Sequence, residues 1–233
     1  MAKTIVLGDV RVSTVFKAVK NVHLTVHPPE GRVTLVAPEG TRPEVARAYA
    51  ITKLAWIKEQ QRALKAQVRE APRRFVTRES HYVWGRRYLM RVVEHEGRAR
   101  VELGNKTLTL FIKPGADHAK RAELMNEWHK ALMHAEIPAL VAKWEKRLGV
   151  KVSSYYLQRM KTKWGSCNPT LGNIRLNTEL VKKPKDLLEY VVVHEMAHLL
   201  ERNHSDAFVQ LLNQHFPEWR EARLVLNELP LGV

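Results

Sequence analysis

The chain has 233 residues, of which 45% are hydrophobic, so it can bury a substantial core as one large domain or two small ones. Its longest apolar runs fall well short of the about 18 residues that indicate a membrane span, and the N-terminal residues lack the apolar segment of a signal peptide. Because no apolar run is long enough, no membrane partner is expected. A single cysteine, Cys167, excludes an intrachain disulfide and favours a reducing, cytoplasmic location.

The formal net charge of +15 is unevenly distributed along the chain. Residues 42–100 contain 15 Lys and Arg against 6 Glu, whereas residues 184–233 contain 4 basic and 8 acidic side chains. A basic N-terminal region can attract nucleic acid, nucleotides or an acidic protein through long-range electrostatics. It can equally be a solvated face, and the sequence has no nucleic-acid-binding motif that decides between the two.

The first 115 residues are predicted to form an antiparallel β-rich unit with one long helix. Residues 21–27 and 32–36 alternate apolar and polar side chains around the turn Pro28-Pro29-Glu30-Gly31, which predicts a hairpin. His23 and His27 on this hairpin are expected to face solvent. Further strands are predicted at residues 82–84, 88–93, 99–103 and 107–112, because turn residues separate these apolar runs.

Helix boundaries follow from capping residues and prolines. Thr41 and Glu44 match a capping box, and the predicted helix runs from there to about Arg69. Pro114-Gly115 marks the predicted boundary between a domain of residues 1–115 and a domain of residues 116–233. Two helices are predicted after it, at residues 117–135 and 138–148, with a break at Pro138. The fold class is therefore predicted to be α+β.

The strongest chemical signal is the sequence His194-Glu195-Met196-Ala197-His198, followed by His204. Histidines four residues apart on a helix project from the same face, so both imidazoles can reach one metal ion while the glutamate lies beside it. A helix is predicted here because Pro184 and Asp186 mark its start and no breaker follows. Its side chains are apolar on nearly all sides, which indicates a buried helix whose polar groups need a partner such as a dication.

His204 adds a third nitrogen in the loop after this helix. Three protein ligands and one open position are typical of a catalytic zinc site. Zinc is therefore the predicted cofactor, with His194, His198 and His204 as ligands. Glu195 is the predicted catalytic base, which takes a proton from the attacking water and passes it to the leaving amine.

A predicted hairpin directly before the metal helix includes Trp-Gly-Ser-Cys and a second strand at residues 173–177. Its edge is a candidate for holding an extended peptide. Lys163, Trp164, Arg175 and Asn177 are candidate site-lining residues, with Lys163 and Arg175 also considered as oxyanion stabilisers. Cys167 is interpreted mainly as a small buried residue. Asn177, Glu201 and Asn203 are the candidates for orienting the imidazoles, and the sequence does not choose among them.

Four segments occur together in one order and spacing: Lys161-Thr162-Lys163-Trp164-Gly165-Ser166-Cys167, residues 172–177, residues 190–199, and Asn203-His204-Ser205 with Phe208. They resemble the YgjP-like metallopeptidase family and, more distantly, the SprT-like zinc proteases, which act near DNA. The resemblance implies a zincin-like α+β catalytic unit with zinc on His194, His198 and His204, Glu195 as acid/base and a peptide or protein substrate. A metzincin is rejected, because Glu201 replaces the glycine of that pattern and no methionine follows to form its Met-turn.

Two alternatives to a peptidase, from other functional classes of protein, stay open. The same activated water and the basic residues suit a metal-dependent nucleotide pyrophosphatase, which would hydrolyse a phosphoanhydride. Alternatively, the chain is a nucleic-acid-associated protein with structural zinc, which requires a closed site with a fourth ligand such as Cys167.

Overall fold

A computed structural model describes residues 3–27, 30–66 and 72–228. Strands and helices alternate in blocks along these residues, which confirms the predicted α+β class. The strands are β1 (Lys3–Leu7), β2 (Val10–Lys17), β3 (His23–His27), β4 (Arg32–Pro38), β5 (Ser80–Val83), β6 (Arg86–Glu94), β7 (Arg100–Leu103), β8 (Thr107–Ile112), β9 (Ser154–Gln158), β10 (Gly165–Asn168) and β11 (Asn173–Asn177). The helices are α1 (Pro43–Thr52), α2 (Leu54–Ala66), α3 (His118–Leu148), α4 (Lys185–Ala197), α5 (Asp206–His215) and α6 (Trp219–Glu228), with a 3-10 helix at Thr178–Lys182 before α4.

The chain divides into two compact units, an N-terminal unit up to Glu70 and a C-terminal unit from Ala71. This division differs from the boundary that Pro114-Gly115 indicates, because the sheet β5–β8 and helix α3 belong to the same unit. Met125 of α3 packs into one core cluster with Met90 of β6 and Leu110 of β8. Apolar packing across the turn at residue 115 therefore joins segments that the sequence analysis separated.

The N-terminal unit is a four-stranded sheet covered on one face by two helices. Its strand order is β1-β2-β4-β3, with β2 and β4 parallel in the middle and an antiparallel strand on each side. Val12 and Leu35 on this sheet are buried together with Ala50 of α1 and Ile57 of α2. The predicted hairpin of β3 and β4 is confirmed, and β1 and β2 are additions that the sequence analysis did not identify. Pro28 and Pro29 of its predicted turn lie outside the described residues.

The prediction of one helix that starts at Thr41 is wrong in two respects: the helix starts later, and it is divided into α1 and α2. Arg42 is the N-cap and makes no side-chain capping hydrogen bond, and Pro43 occupies the start of α1. Proline suits that position because its fixed φ is helical and the N–H that it lacks would be unpaired there anyway. Lys53 then ends α1 before α2 begins at Leu54. The predicted helix end near Arg69 lies outside the described residues.

The C-terminal unit contains two sheets, of which the first repeats the topology of the N-terminal unit. Strands β5-β6-β8-β7 have the same order and the same directions as β1-β2-β4-β3. The second sheet has the order β10-β11-β9, with β9 parallel and β10 antiparallel to β11. In this order β10 is an edge strand.

Helix α3 is continuous over 31 residues, so the predicted break at Pro138 is wrong. The proline removes one helical hydrogen bond and strains the preceding turn, at a cost of about 3 kcal/mol. Burial offsets this cost, because Met133, Ile137 and Trp144 lie in the core cluster that includes α4. Helix α3 thus packs on the sheet β5–β8 with its first half and on α4 with its second half.

The start of α4 is held by the hairpin turn between β5 and β6. The Trp84 N–H donates to the Val181 carbonyl at 2.7 Å, and the Gly85 N–H donates to the Lys182 carbonyl at 3.4 Å. Gly85 has a φ of 77°, and a Cβ there would lie 2.8 Å from Cγ of Pro184. The turn therefore approaches the residues before α4 so closely that only glycine, which has no side chain, fits at residue 85.

Among the described residues, no helix combines the length and the apolarity that crossing a membrane requires.

His23 is exposed, as expected, and His27 is half-buried, with its Nε2 3.0 Å from Oγ1 of Thr34 on the neighbouring strand. Neither histidine is part of the cluster of possible metal ligands found among the described residues.

We predict that Gly85→Ala destabilises the protein more than Gly115→Ala does. Both glycines have positive φ, so either alanine costs roughly 1–2 kcal/mol of backbone strain. Only the alanine at residue 85 also overlaps Pro184, which adds about 1–3 kcal/mol, because a Cβ at Gly115 has no heavy atom within 4 Å. Urea unfolding of both variants measures the difference, and equal losses of stability would contradict this contact.

Candidate metal centre

Three histidines meet at the end of α4. His194 lies in its last turn, His198 is its C-cap, and His204 lies in the loop directly before Ser205, the N-cap of α5. One ring nitrogen from each lies within 4.8 Å of the other two, and the Nε2 atoms of His194 and His204 are 3.1 Å apart. Neutral imidazoles at this spacing form a set of three nitrogen donors that one divalent ion can bind together.

Local packing fixes the orientation of these rings. The aromatic ring of Phe208 contacts all three imidazoles at centroid distances of 4.6–5.1 Å. Nδ1 of His198 lies 3.0 Å from the carbonyl oxygen of Glu201, so a proton on Nδ1 donates to that oxygen. Nε2 of His198 then remains available as a metal ligand. Asn177, Glu201 and Asn203 were the candidates for orienting the imidazoles. Of these, Glu201 contacts a histidine ring, through its backbone carbonyl.

The environment favours the neutral, metal-binding form of two histidines. Burial is the main cause that lowers the pKa of His194 to about 3, and the charges of His198, His204 and Arg223 act in the same direction. Burial, together with the charges of His198 and Arg223, also lowers the pKa of His204. Both rings are therefore unprotonated at neutral pH, as metal ligation requires.

Glu195 is buried beside the histidines, with 5% of its surface exposed. Burial raises the pKa of its carboxyl to about 8, against the opposing positive charge of Lys163. Desolvation of this kind is relieved by a nearby cation, so a dication on the three histidines and an ionised Glu195 stabilise each other. The donor set and the buried carboxyl together fit a divalent metal ion.

The Glu195 carboxyl lies directly against the backbone of Gly165, the first residue of β10. A Cβ on Gly165 would be 2.5 Å from Oε1 and 2.8 Å from Cδ of Glu195. The glycine of Trp-Gly-Ser-Cys is therefore needed for space rather than for conformation, since its φ is not positive. Its contact fixes the distance between the carboxyl and the edge strand.

The site opens on a cavity of about 690 Å³ in the C-terminal unit. Lys163 and Trp164 line this cavity together with Gly165, Ser166 and Cys167 of β10. Arg175 does not: it is exposed on β11, where Ile174 and Leu176 on either side of it are buried. As a result, the proposal of Arg175 as an oxyanion stabiliser has no geometric support.

Asn177 is buried near the site but positions the backbone rather than a substrate. Its Nδ2 donates to the carbonyls of Met160 and Lys163, both at 2.8 Å. Its Oδ1 accepts from the N–H of Met160 at 3.2 Å and from that of Glu179 at 3.1 Å. These bonds hold the loop that carries Lys163 and Trp164 to the start of the 3-10 helix.

Cys167 is half-buried and lines the cavity without joining the histidine cluster. Burial, and secondarily the negative charge of Glu195, raises the pKa of its thiol to about 11. A thiol with this pKa is protonated at neutral pH and is a poor nucleophile. This agrees with its interpretation as a small packing residue.

The sequence gives no sign that the last helix, Arg202 and Tyr190 line the site. Tyr190, Arg202, Trp219 and Arg223 line the cavity. Trp219, Arg223 and Leu226 are spaced as one face of α6, so the helical period indicates that they share a side. Only the packing of α6 against α4 shows that this side faces the cavity of the three histidines.

We predict a strong coupling between Gly165 and Glu195 in a double-mutant cycle. Gly165→Ala should cost about 1–3 kcal/mol of unfolding free energy, because the new methyl group overlaps the buried carboxyl. In a Glu195→Ala background the overlap is gone, so the same substitution should cost much less. Urea denaturation of the four proteins gives the coupling energy, and additive effects would rule out the contact.

Comparison with known proteins gives one match over most of the chain. The model of the YgjP-like metallopeptidase domain matches residues 20–229. A UTP pyrophosphatase of Escherichia coli (strain K12) is 40% identical over 63 residues, which are 25% of this chain and 38% of that protein. The chain therefore matches well under half the length of this curated relative.

Two solved structures share weaker similarity. The metallopeptidase zymogen abylysin of Pyrococcus abyssi is 21% identical, with a TM-score of 0.37 over 42% of this chain and 99% of that chain. The zymogen jannalysin of Methanocaldococcus jannaschii is 26% identical, with a TM-score of 0.35 over 39% of this chain and 93% of that chain. Similarity at this level does not establish a common overall fold.

Proposed function

Because the chain belongs to the YgjP-like metallopeptidase family, we propose that it is a zinc-dependent peptidase with its metal on His194, His198 and His204. Membership identifies a metal-dependent hydrolase, and the observation that carries the proposal is the cluster of three histidines beside the buried Glu195. Three neutral imidazoles with an open fourth position are the donor set typical of catalytic zinc.

The chemistry divides between the cofactor and the protein. Zinc, when bound, supplies Lewis acidity to a substrate carbonyl and to the attacking water. Glu195 accepts the proton of that water and delivers it to the leaving amine, so the carboxyl returns to its ionised form after each turnover. Gly165 keeps the carboxyl close to the edge of β10, and Phe208 keeps the three rings in place.

A peptide substrate is supported by the position of β10. This strand pairs with β11 on one side, and its residues Gly165, Ser166 and Cys167 line the cavity that contains the histidines. An extended peptide can add to such an edge through backbone hydrogen bonds. In the complex that we propose, a peptide added to this edge has its scissile bond beside the three histidines, and no specific side chain is required for that.

Nucleotide phosphoanhydride hydrolysis is the second candidate. It is favoured by the positive side chains of Lys163, Arg202 and Arg223 in the cavity, and by the short match to a protein named UTP pyrophosphatase. A nucleic-acid-associated protein with structural zinc is less favoured, because a closed site needs a fourth protein ligand, and the cluster found among the described residues contains three histidines and not Cys167.

We predict that Glu195→Gln retains zinc and loses hydrolysis by about 10²–10⁴-fold, because the amide cannot accept the proton of the attacking water. The zinc-loaded protein and the variant are assayed on a peptide library and on nucleoside triphosphates. Cleavage of peptides that stops in the variant and after chelation supports the peptidase. Cleavage of the triphosphates alone replaces it with the second candidate, and activity unchanged in the variant rejects the role of Glu195.

We predict that His204→Ala lowers zinc affinity by at least about tenfold, because the ion loses one of three protein ligands. Equilibrium dialysis against a competing chelator measures the affinity. His23→Ala is the matched control, since His23 is also an exposed histidine but lies on a strand of the N-terminal unit. Equal zinc affinity in the two variants would remove His204 from the ligand set.

A further inference from the structure

Positive side chains from three separate elements line the cavity of the metal centre. Lys163 precedes β10, Arg202 lies in the loop after α4, and Arg223 is on α6. Within the part of the chain that the structure describes, Glu195 is the one acidic residue that lines the same cavity, and it is buried. The exposed charge around the three histidines is therefore positive.

This local charge is opposite to that of the surrounding sequence, since residues 184–233 contain twice as many acidic as basic side chains. The acidic side chains of this segment do not line the cavity, apart from Glu195. Glu189, for example, accepts from Lys143 and from Trp144 of α3. Folding thus turns the acidic side chains away from the cavity and two arginines toward it.

The three cations also lack a direct polar partner. In residues 3–27, 30–66 and 72–228, none of their side chains forms an ion pair or donates a hydrogen bond. Other cations of the same unit are paired, including Lys143 with Glu189 and Lys185 with Glu136. Arg220, one turn before Arg223 on α6, donates to Oδ1 of Asn213 at 2.8 Å.

The cations lie close enough to the reacting region to act on it. The charge of Arg223 contributes to the lowered pKa of His194 and of His204, and the charge of Lys163 acts on Glu195. Guanidinium groups bind carboxylates and phosphates through two parallel hydrogen bonds, so a pair of arginines suits either anion.

We propose that Lys163, Arg202 and Arg223 form a binding site for an anionic group of the substrate, a carboxylate or a phosphate, next to the bond that is hydrolysed. This inference rests on the proposed function of the same cavity and specifies its substrate class. A peptide with acidic residues beside the scissile bond satisfies it, and so does a nucleoside polyphosphate. A neutral substrate provides no partner for the three cations, and a basic substrate is repelled by them.

Binding of small anions tests the site without hydrolysis. Trp164 and Trp219 line the cavity, so tryptophan fluorescence of the full chain reports its occupation. The probes are inorganic pyrophosphate, acetyl-Asp-Asp-amide and its neutral analogue acetyl-Asn-Asn-amide, each titrated into the zinc-free protein and into zinc-loaded Glu195→Gln. We expect the two anions to bind in both forms, at least about tenfold more tightly than the neutral peptide.

Substitutions identify the residues responsible. Arg223→Ala and Arg202→Ala should each weaken anion binding at least about tenfold, whereas Arg175→Ala should change it less than about twofold. Arg175 is the matched control because it is an exposed arginine of the same unit that does not line the cavity. Circular dichroism and zinc content verify that each variant is folded.

The outcomes separate the two proposals. Anion binding that depends on Arg223 while no peptide is cut rejects the peptidase and retains the anion site. Peptide cleavage with equal binding of the Asp and Asn peptides, or anion binding that Arg223→Ala leaves unchanged, overturns the anion site and retains the peptidase. The tighter anion, pyrophosphate or the Asp peptide, identifies whether the charge comes from a phosphate or a carboxylate.

Discussion

Burying the Glu195 carboxyl beside three imidazoles costs free energy, and the structure around α4 holds these groups together despite that cost. Most side chains of this helix from Leu187 onward are buried, so the Glu195 carboxyl cannot turn toward solvent. A dication bound by the proposed ligands would relieve the desolvation of the carboxyl and take free imidazole nitrogens. The fit of the site to a metal ion is thus a consequence of placing His194 and Glu195 on a core helix.

Several remote contacts serve to keep that helix in position. Helix α3 continues through Pro138 and packs its second half against α4, while the turn at Trp84 and Gly85 bonds to the residues that precede α4. Asn177 ties the loop of Lys163 to the same region. The sheet β5–β8, which contributes no residue to the cavity, therefore supports the site from the other end of the C-terminal unit.

The walls of the cavity differ in chemistry from the metal centre itself. Among the described residues, β10 pairs with β11 on one side only, and backbone pairing at a strand edge does not discriminate among side chains, whereas Lys163, Arg202 and Arg223 offer positive charge. In the proposed function the strand edge would hold an extended chain, and the cations would select for acidic groups. The same water-activating groups suit a peptide bond or a phosphoanhydride, and the three cations suit an acidic peptide as well as a nucleoside polyphosphate, so the assay on the two substrate classes decides between the candidate reactions.

The sequence by itself determined the metal motif, the family, the α+β class and most strands of the sheets, because helical spacing and turn residues are local properties. It predicted a break at Pro138 that the packing of α3 overrides, and it gave no sign of the break at Lys53. It offered Arg175 as a candidate for lining the site and did not indicate Arg223. Both differences have one physical cause: which face of β11 or α6 meets the cavity depends on contacts with α4, and those contacts exist only in the folded chain.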